Sequence, residues 1–217
     1  MARPRRPLRP AYPLAIERGY RRLLVGLVRE LRAKVLAGLS AGKPRLDCST
    51  WNMDADLDPG SIADLVDLLD RELKSIQLAP DLDPRTAKRL EGVMASMQSF
   101  SRASFAAVVR HFLGVDVTLT EPSLAVALEA WASENVKLIK SLQTKALEQV
   151  KTIAVGAVRS GLSVEQARDE IIERFGVAES RANLIARDQI SKLNGALTEE
   201  RQTKLGIDNY VWSYYFI

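Results

Sequence analysis

The sequence predicts a mainly α protein, a multi-helix assembly of long amphipathic helices with at most a short C-terminal strand. Three observations lead there. Apolar residues recur every three or four positions over runs far longer than a strand. Helix-start and helix-stop residues punctuate those runs at Asp83-Pro84, Gly114, Gly161 and Gly206. Strict alternation is confined to Ile207 to Trp212, where Tyr210, Val211 and Trp212 favour an extended segment. At 47% hydrophobic composition the chain has ample material for a core.

Residues 1–13 carry four arginines, Arg3, Arg5, Arg6 and Arg9, and four prolines, and read as a flexible basic arm. From Leu14 to about Leu39, Ile16, Tyr20, Leu23, Leu27, Leu31 and Val35 make one stripe, with Arg18, Arg21, Arg22, Arg29 and Arg32 opposite. Such a basic amphipathic helix suits ordinary packing with a charged outer face, or contact with nucleic acid or a membrane surface. A polar connector follows. Its Asp54, Asp56 and Asp58 alternate as in a calcium loop, but Gly60 comes one position late and Leu65 stands where the closing glutamate belongs, so no cation site is expected.

Ser61 and Asp64 form a plausible capping box for the next helix, whose stripe is Ile62, Leu65, Leu69, Leu73 and Ile76. Asp83-Pro84 then starts a helix reaching Leu113, with Leu90, Met94, Met97, Ser101, Phe105, Val108 and Phe112 along one side. After Pro122 comes the longest pattern, to about Ser160. Leu124, Leu128, Trp131, Asn135, Leu138 and Leu142 keep near-heptad spacing, and Ala146, Val150, Ile153 and Ala157 continue after a shift of phase. A helix of that length needs neighbours along most of its surface, or a second copy of the chain. Asn135 on the seam is the kind of polar residue that fixes register. Gly161 ends this helix, Ser163 and Gln166 cap a short one closed by Gly176, and a further helix runs from Ser180 to Gly206.

That last helix carries an apolar stripe of Ala182, Ala186, Ile190, Leu193 and Leu197. Beside it Arg187, Ser191, Asn194, Thr198 and Arg201 form a polar face, with Arg187, Asn194 and Arg201 each seven residues apart. The arrangement fits a solvated flank, or two guanidinium groups and an amide presented to a partner at the rim of a buried seam.

Charge is uneven behind a net +4. Residues 1–34 hold ten Arg or Lys against Glu17 and Glu30, whereas residues 47–83 hold ten Asp or Glu against Arg71 and Lys74. Either the basic end binds phosphate or another acidic surface, or it meets the acidic middle of its own or a neighbouring chain. The single Cys48 and single His111 supply neither a disulfide nor a zinc set. No phosphate-cradling glycine loop is present, and adjacent acids such as Asp169-Glu170 and Glu199-Glu200 point about 100° apart on a helix. Neither a catalytic constellation nor a cofactor is expected. No apolar run approaches the roughly 20 residues of a membrane span, and a reducing intracellular setting is expected.

The segment IARDQISKLNGALTEERQTKLGIDNYVW, with Trp131, Glu134-Asn135, Leu138-Ile139-Lys140-Ser141, Gly161 and Arg174-Phe175-Gly176-Val177 upstream, resembles the tailed-phage head-morphogenesis (minor head protein, Mu F-like) family. The resemblance covers roughly Leu124 to Ser213 and turns on Trp131, Asn135, Gly161, Gly206 and Trp212. Members usually continue past the tryptophan into an acidic-arginine segment and a histidine, whereas this sequence runs out at Ser213-Tyr214-Tyr215-Phe216-Ile217.

Apolar spacing gives an N-terminal helical region over 14–121, and the resemblance implies a head-morphogenesis core over 122–217, truncated after Trp212. It also implies a non-enzymatic role in procapsid assembly and maturation, in the host cytoplasm and then in the virion head. Portal and other capsid proteins are the expected partners, together with packaged double-stranded DNA and a second copy of the chain. Arg181, Arg187, Lys192, Asn194 and Arg201 are the candidate contacts. A general nucleic-acid-binding protein using the basic arm and helix 180–205 is the alternative, and an inactive truncated product is a third reading.

Overall fold

A computed structural model describes residues 11–41, 59–114, 124–160, 162 and 164–206. Five α-helices make up the described residues, with no strand among them: α1 Leu14–Ala41, α2 Pro59–Leu78, α3 Pro84–Leu113, α4 Leu124–Ser160 and α5 Val164–Lys204. The basic arm 1–10, the connector around Asp54, Gly161, the segment 207–212 and Trp212 lie outside the described residues.

Amphipathic patterning decides how the helices stack, because each must remove its apolar stripe from water. In α1, Tyr20, Leu23, Leu24, Leu27, Val28, Leu31, Val35 and Leu39 are all buried, giving a stripe wide enough to face several neighbours. α1 and α4 both lie along α5, and α2 lies along α4 and α1. α3 packs on α1 and α5. The long α4 therefore finds its neighbours inside this chain, as its length requires. Buried residues of all five helices join in one cluster.

Helix ends follow local chemistry. The Asp83 carboxylate accepts a hydrogen bond from the Thr86 amide at 3.0 Å, and Pro84 is pre-set for the first turn of α3. That bond holds the Asp83 carboxyl below its ordinary value. α3 closes at Gly114, whose φ of 69° is left-handed, and α5 closes into Gly206 with φ 68°. α2 starts at Pro59, ahead of the expected Ser61 cap, since proline itself suits the first turn.

Two sequence expectations need correction. On α3, Val109 rather than Val108 is buried, and Phe112 is exposed near the helix end. The larger change concerns Gly176, which was expected to end a short helix. It sits instead in the middle of α5, a single helix of 41 residues. Glycine costs a helix interior only about 1 kcal/mol. The buried series Ala167, Ile171, Phe175, Ala178 and Ala182 runs straight across that position, so packing on both sides offsets the cost.

Candidate functional site

The centre of the molecule holds a polar node made by three helices. Asn135 of α4 is fully buried and uses its whole amide. Its Nδ2 donates to the Trp131 carbonyl at 2.7 Å and to Gln189 Oε1 at 3.1 Å. Its Oδ1 accepts from the Tyr20 hydroxyl of α1 at 2.5 Å. Trp131 reaches across from α4 and donates its indole N–H to the Gln189 carbonyl of α5 at 2.9 Å. The Tyr20 and Trp131 rings stand 5.7 Å apart and tilted by 55°.

Gln189, itself buried, completes the circuit. Its Nε2 donates outward to Glu134 Oε1 at 3.2 Å and Asp188 Oδ2 at 3.3 Å. Every polar side chain of the node therefore has a partner, which makes burial tolerable and the register of α1, α4 and α5 specific. Burial pushes the Tyr20 hydroxyl well above its ordinary value.

Spacing alone marks Asn135 as a seam residue, sets Tyr20 in an apolar stripe and does not single out Gln189. The available signal was weak, because a glutamine next to Ile190 is seen as buried only once the helix crossing is known.

The polar face expected on α5 does not present its three heptad-spaced residues together. Arg187 is exposed, Asn194 half-buried and Arg201 buried. An α-helix drifts about 20° per seven residues. Eleven residues beyond Ile190, Arg201 returns to within about 20° of the apolar stripe, and it packs against α3, donating to the Ser101 hydroxyl. Arg201 is thus a core residue and not a rim contact.

Lys192 is exposed and paired with Asp188 at 2.9 Å, a hydrogen bond and charge pair that raise its pKa. Arg181 is exposed. Arg187 lies close enough to Tyr12 for its charge to act on that hydroxyl. Tyr12 is pushed up to about 12, first by burial and then by its bond to Glu17 at 2.7 Å.

On α1, Arg18, Arg21 and Arg22 are exposed. Further along the same helix Arg29 pairs with Glu179 of α5 at 2.9 Å and Lys34 with Glu72 of α2 at 3.2 Å. Lys151 of α4 reaches Asp70 of α2 at 2.5 Å. The acidic middle is therefore met partly from within the chain. Lys140 of α4 donates to the Ala79 and Pro80 carbonyls just beyond α2, satisfying acceptors that the helix end leaves open. Among the described residues no group of three or more His, Cys, Asp or Glu side chains could hold a metal ion. His111 packs edge-on to Phe112 at 5.0 Å. Among the described residues no helix is long and apolar enough to cross a membrane.

The fold and node together define a mainly α-helical bundle in which buried polar groups hold helices in register. No family model matches the chain, and no solved structure matches it. An uncharacterized protein of Haemophilus influenzae is 30% identical over 125 residues, which is 56% of this chain and 28% of that protein. The chain thus spans well under a third of that relative's length.

Proposed function

We propose that this chain is a minor head protein of a tailed phage or prophage, acting without catalysis in procapsid assembly and maturation beside the portal. One observation supports this reading above others. Trp131 and Asn135 on one side of the resemblance, and the ARDQI segment on the other, lie 54 to 58 residues apart in sequence yet meet in one hydrogen-bonded node. Residues that carry the resemblance thus behave as one structural unit. Their role is to set the shape of the bundle, leaving its outer faces for portal and other capsid proteins. Assembly in the host cytoplasm and residence in the virion head follow from that role.

The test is co-expression with a tailed-phage portal protein from the same genome, followed by affinity capture in about 1 M salt, where charges are screened beyond about 3 Å. Retention of portal is expected, because a shape-matched assembly contact survives screening. Loss of portal at high salt, or no capture at any salt, removes the reading.

A further inference from the structure

α1 and α3 lie side by side and leave a groove of about 360 Å³ between them. Leu27 and Leu31 of α1 share a cleft with Leu82 and Thr86 at the start of α3, while Ala15 and Gly19 share this groove with Gly92 and Ser96 further along it. The two helices are therefore antiparallel, which puts Leu23 and Arg89 at one end of the groove. Gly19 and Gly92 leave its floor low, with no atom within 4 Å of where a Cβ would stand on either.

Of the arginines here only Arg89 lines the groove; Arg22, about 100° round α1 from Leu23, lies beside it on the outer face of the helix. Arg18 is one turn before it, and Arg22 Nε donates back to the Arg18 carbonyl at 3.3 Å. Arg18, Arg22 and Arg89 are all exposed, and among the described residues none pairs with a carboxylate. The contrast lies within α1 itself, because Arg29 and Lys34 both have acidic partners. Cations left unpaired at and beside a low groove mark a surface suited to an external anion.

We propose that the α1–α3 surface is a docking face for the phosphodiester backbone of double-stranded DNA, with Arg89 at the groove and Arg18 and Arg22 on the outer face of α1 beside it. Guanidinium groups bind phosphate bidentately, and the glycine floor admits close approach of a backbone. The run of arginines from Arg3 through Arg9 that precedes α1 favours an extended polyanion over a single small anion. On α5, by contrast, Arg201 is buried and Lys192 is paired, while Arg181 and Arg187 are exposed. The α1–α3 docking face does not depend on the head-protein reading.

Binding of the full chain to two DNA duplexes of unrelated sequence is measured across a salt series. The comparison is between the unaltered protein, the triple variant Arg18→Gln, Arg22→Gln, Arg89→Gln, and the control Lys137→Gln, Lys145→Gln, Arg168→Gln, whose positions are exposed elsewhere. The groove variant should lose about tenfold in affinity for both duplexes, and its dependence of log affinity on log salt should flatten by about 2 to 3. The control should bind like the unaltered protein. All six positions are exposed, so thermal melting should be unchanged in both variants.

Undiminished binding by the groove variant, an equal loss in the control, or no DNA binding by the unaltered protein overturns the proposal. A loss confined to anionic lipid vesicles does the same. Portal capture is read separately, so failure of one assay leaves the other intact.

Discussion

Asn135 concentrates more of the structure's specificity than any other side chain of the node, because its amide bonds groups on α1, α4 and α5. Truncation by Asn135→Ala removes the acceptor of the Tyr20 hydroxyl and a donor to Gln189 in a site that water does not reach. Leaving buried polar groups unpaired costs about 1–3 kcal/mol each, so a loss of about 2–4 kcal/mol is expected in urea unfolding. A change no larger than that of Ser133→Ala, on the exposed side of the same helix, would show that the node is unimportant to stability. Arg201 teaches a related lesson. Its burial was open to inference from its position four residues past Leu197, yet grouping it with Arg187 and Asn194 by sevens hid that phase.

At the level of helices, most of the architecture was legible. The stripes of α1, α2 and α4, the Asp83-Pro84 start of α3 and the glycine stops at Gly114 and Gly206 all follow from spacing and backbone preference. Gly176 reads as a stop only when its local preference is taken without the stripe that crosses it, where Phe175, Ala178 and Ala182 keep the helical interval. Continuity of α5 makes a direct prediction. An added Cβ at Gly176 meets nothing within 4 Å, so Gly176→Ala should raise stability by about 0.5–1 kcal/mol through helix propensity. Thermal or urea unfolding measures it. A destabilised variant would indicate that the chain turns at this point.

For the molecule as a whole, the buried tyrosine of the node couples folding to alkaline pH. Burial raises the Tyr20 hydroxyl above its ordinary value of 10.0, so the folded state keeps a proton that the unfolded chain gives up. This contribution is fully present below about pH 10 and is lost as pH rises beyond it. Tyr12 acts in the same direction and more weakly, being partly exposed. The urea midpoint should therefore fall as pH rises above about 10, and Tyr20→Phe should flatten that fall. A variant with the same slope as the unaltered protein would assign the alkaline loss to other groups.

The 41-residue α5 extends this coupling over distance. At about 1.5 Å per residue it is a spar of about 60 Å. Dropping a single residue between Gln189 and Arg201 would turn everything beyond by about 100°, swinging the Arg201 guanidinium into solvent while the node stayed closed. The node and the C-terminal end of the spar are thus indexed to one another like marks on a ruler, and insertions or deletions should be tolerated outside it far better than within.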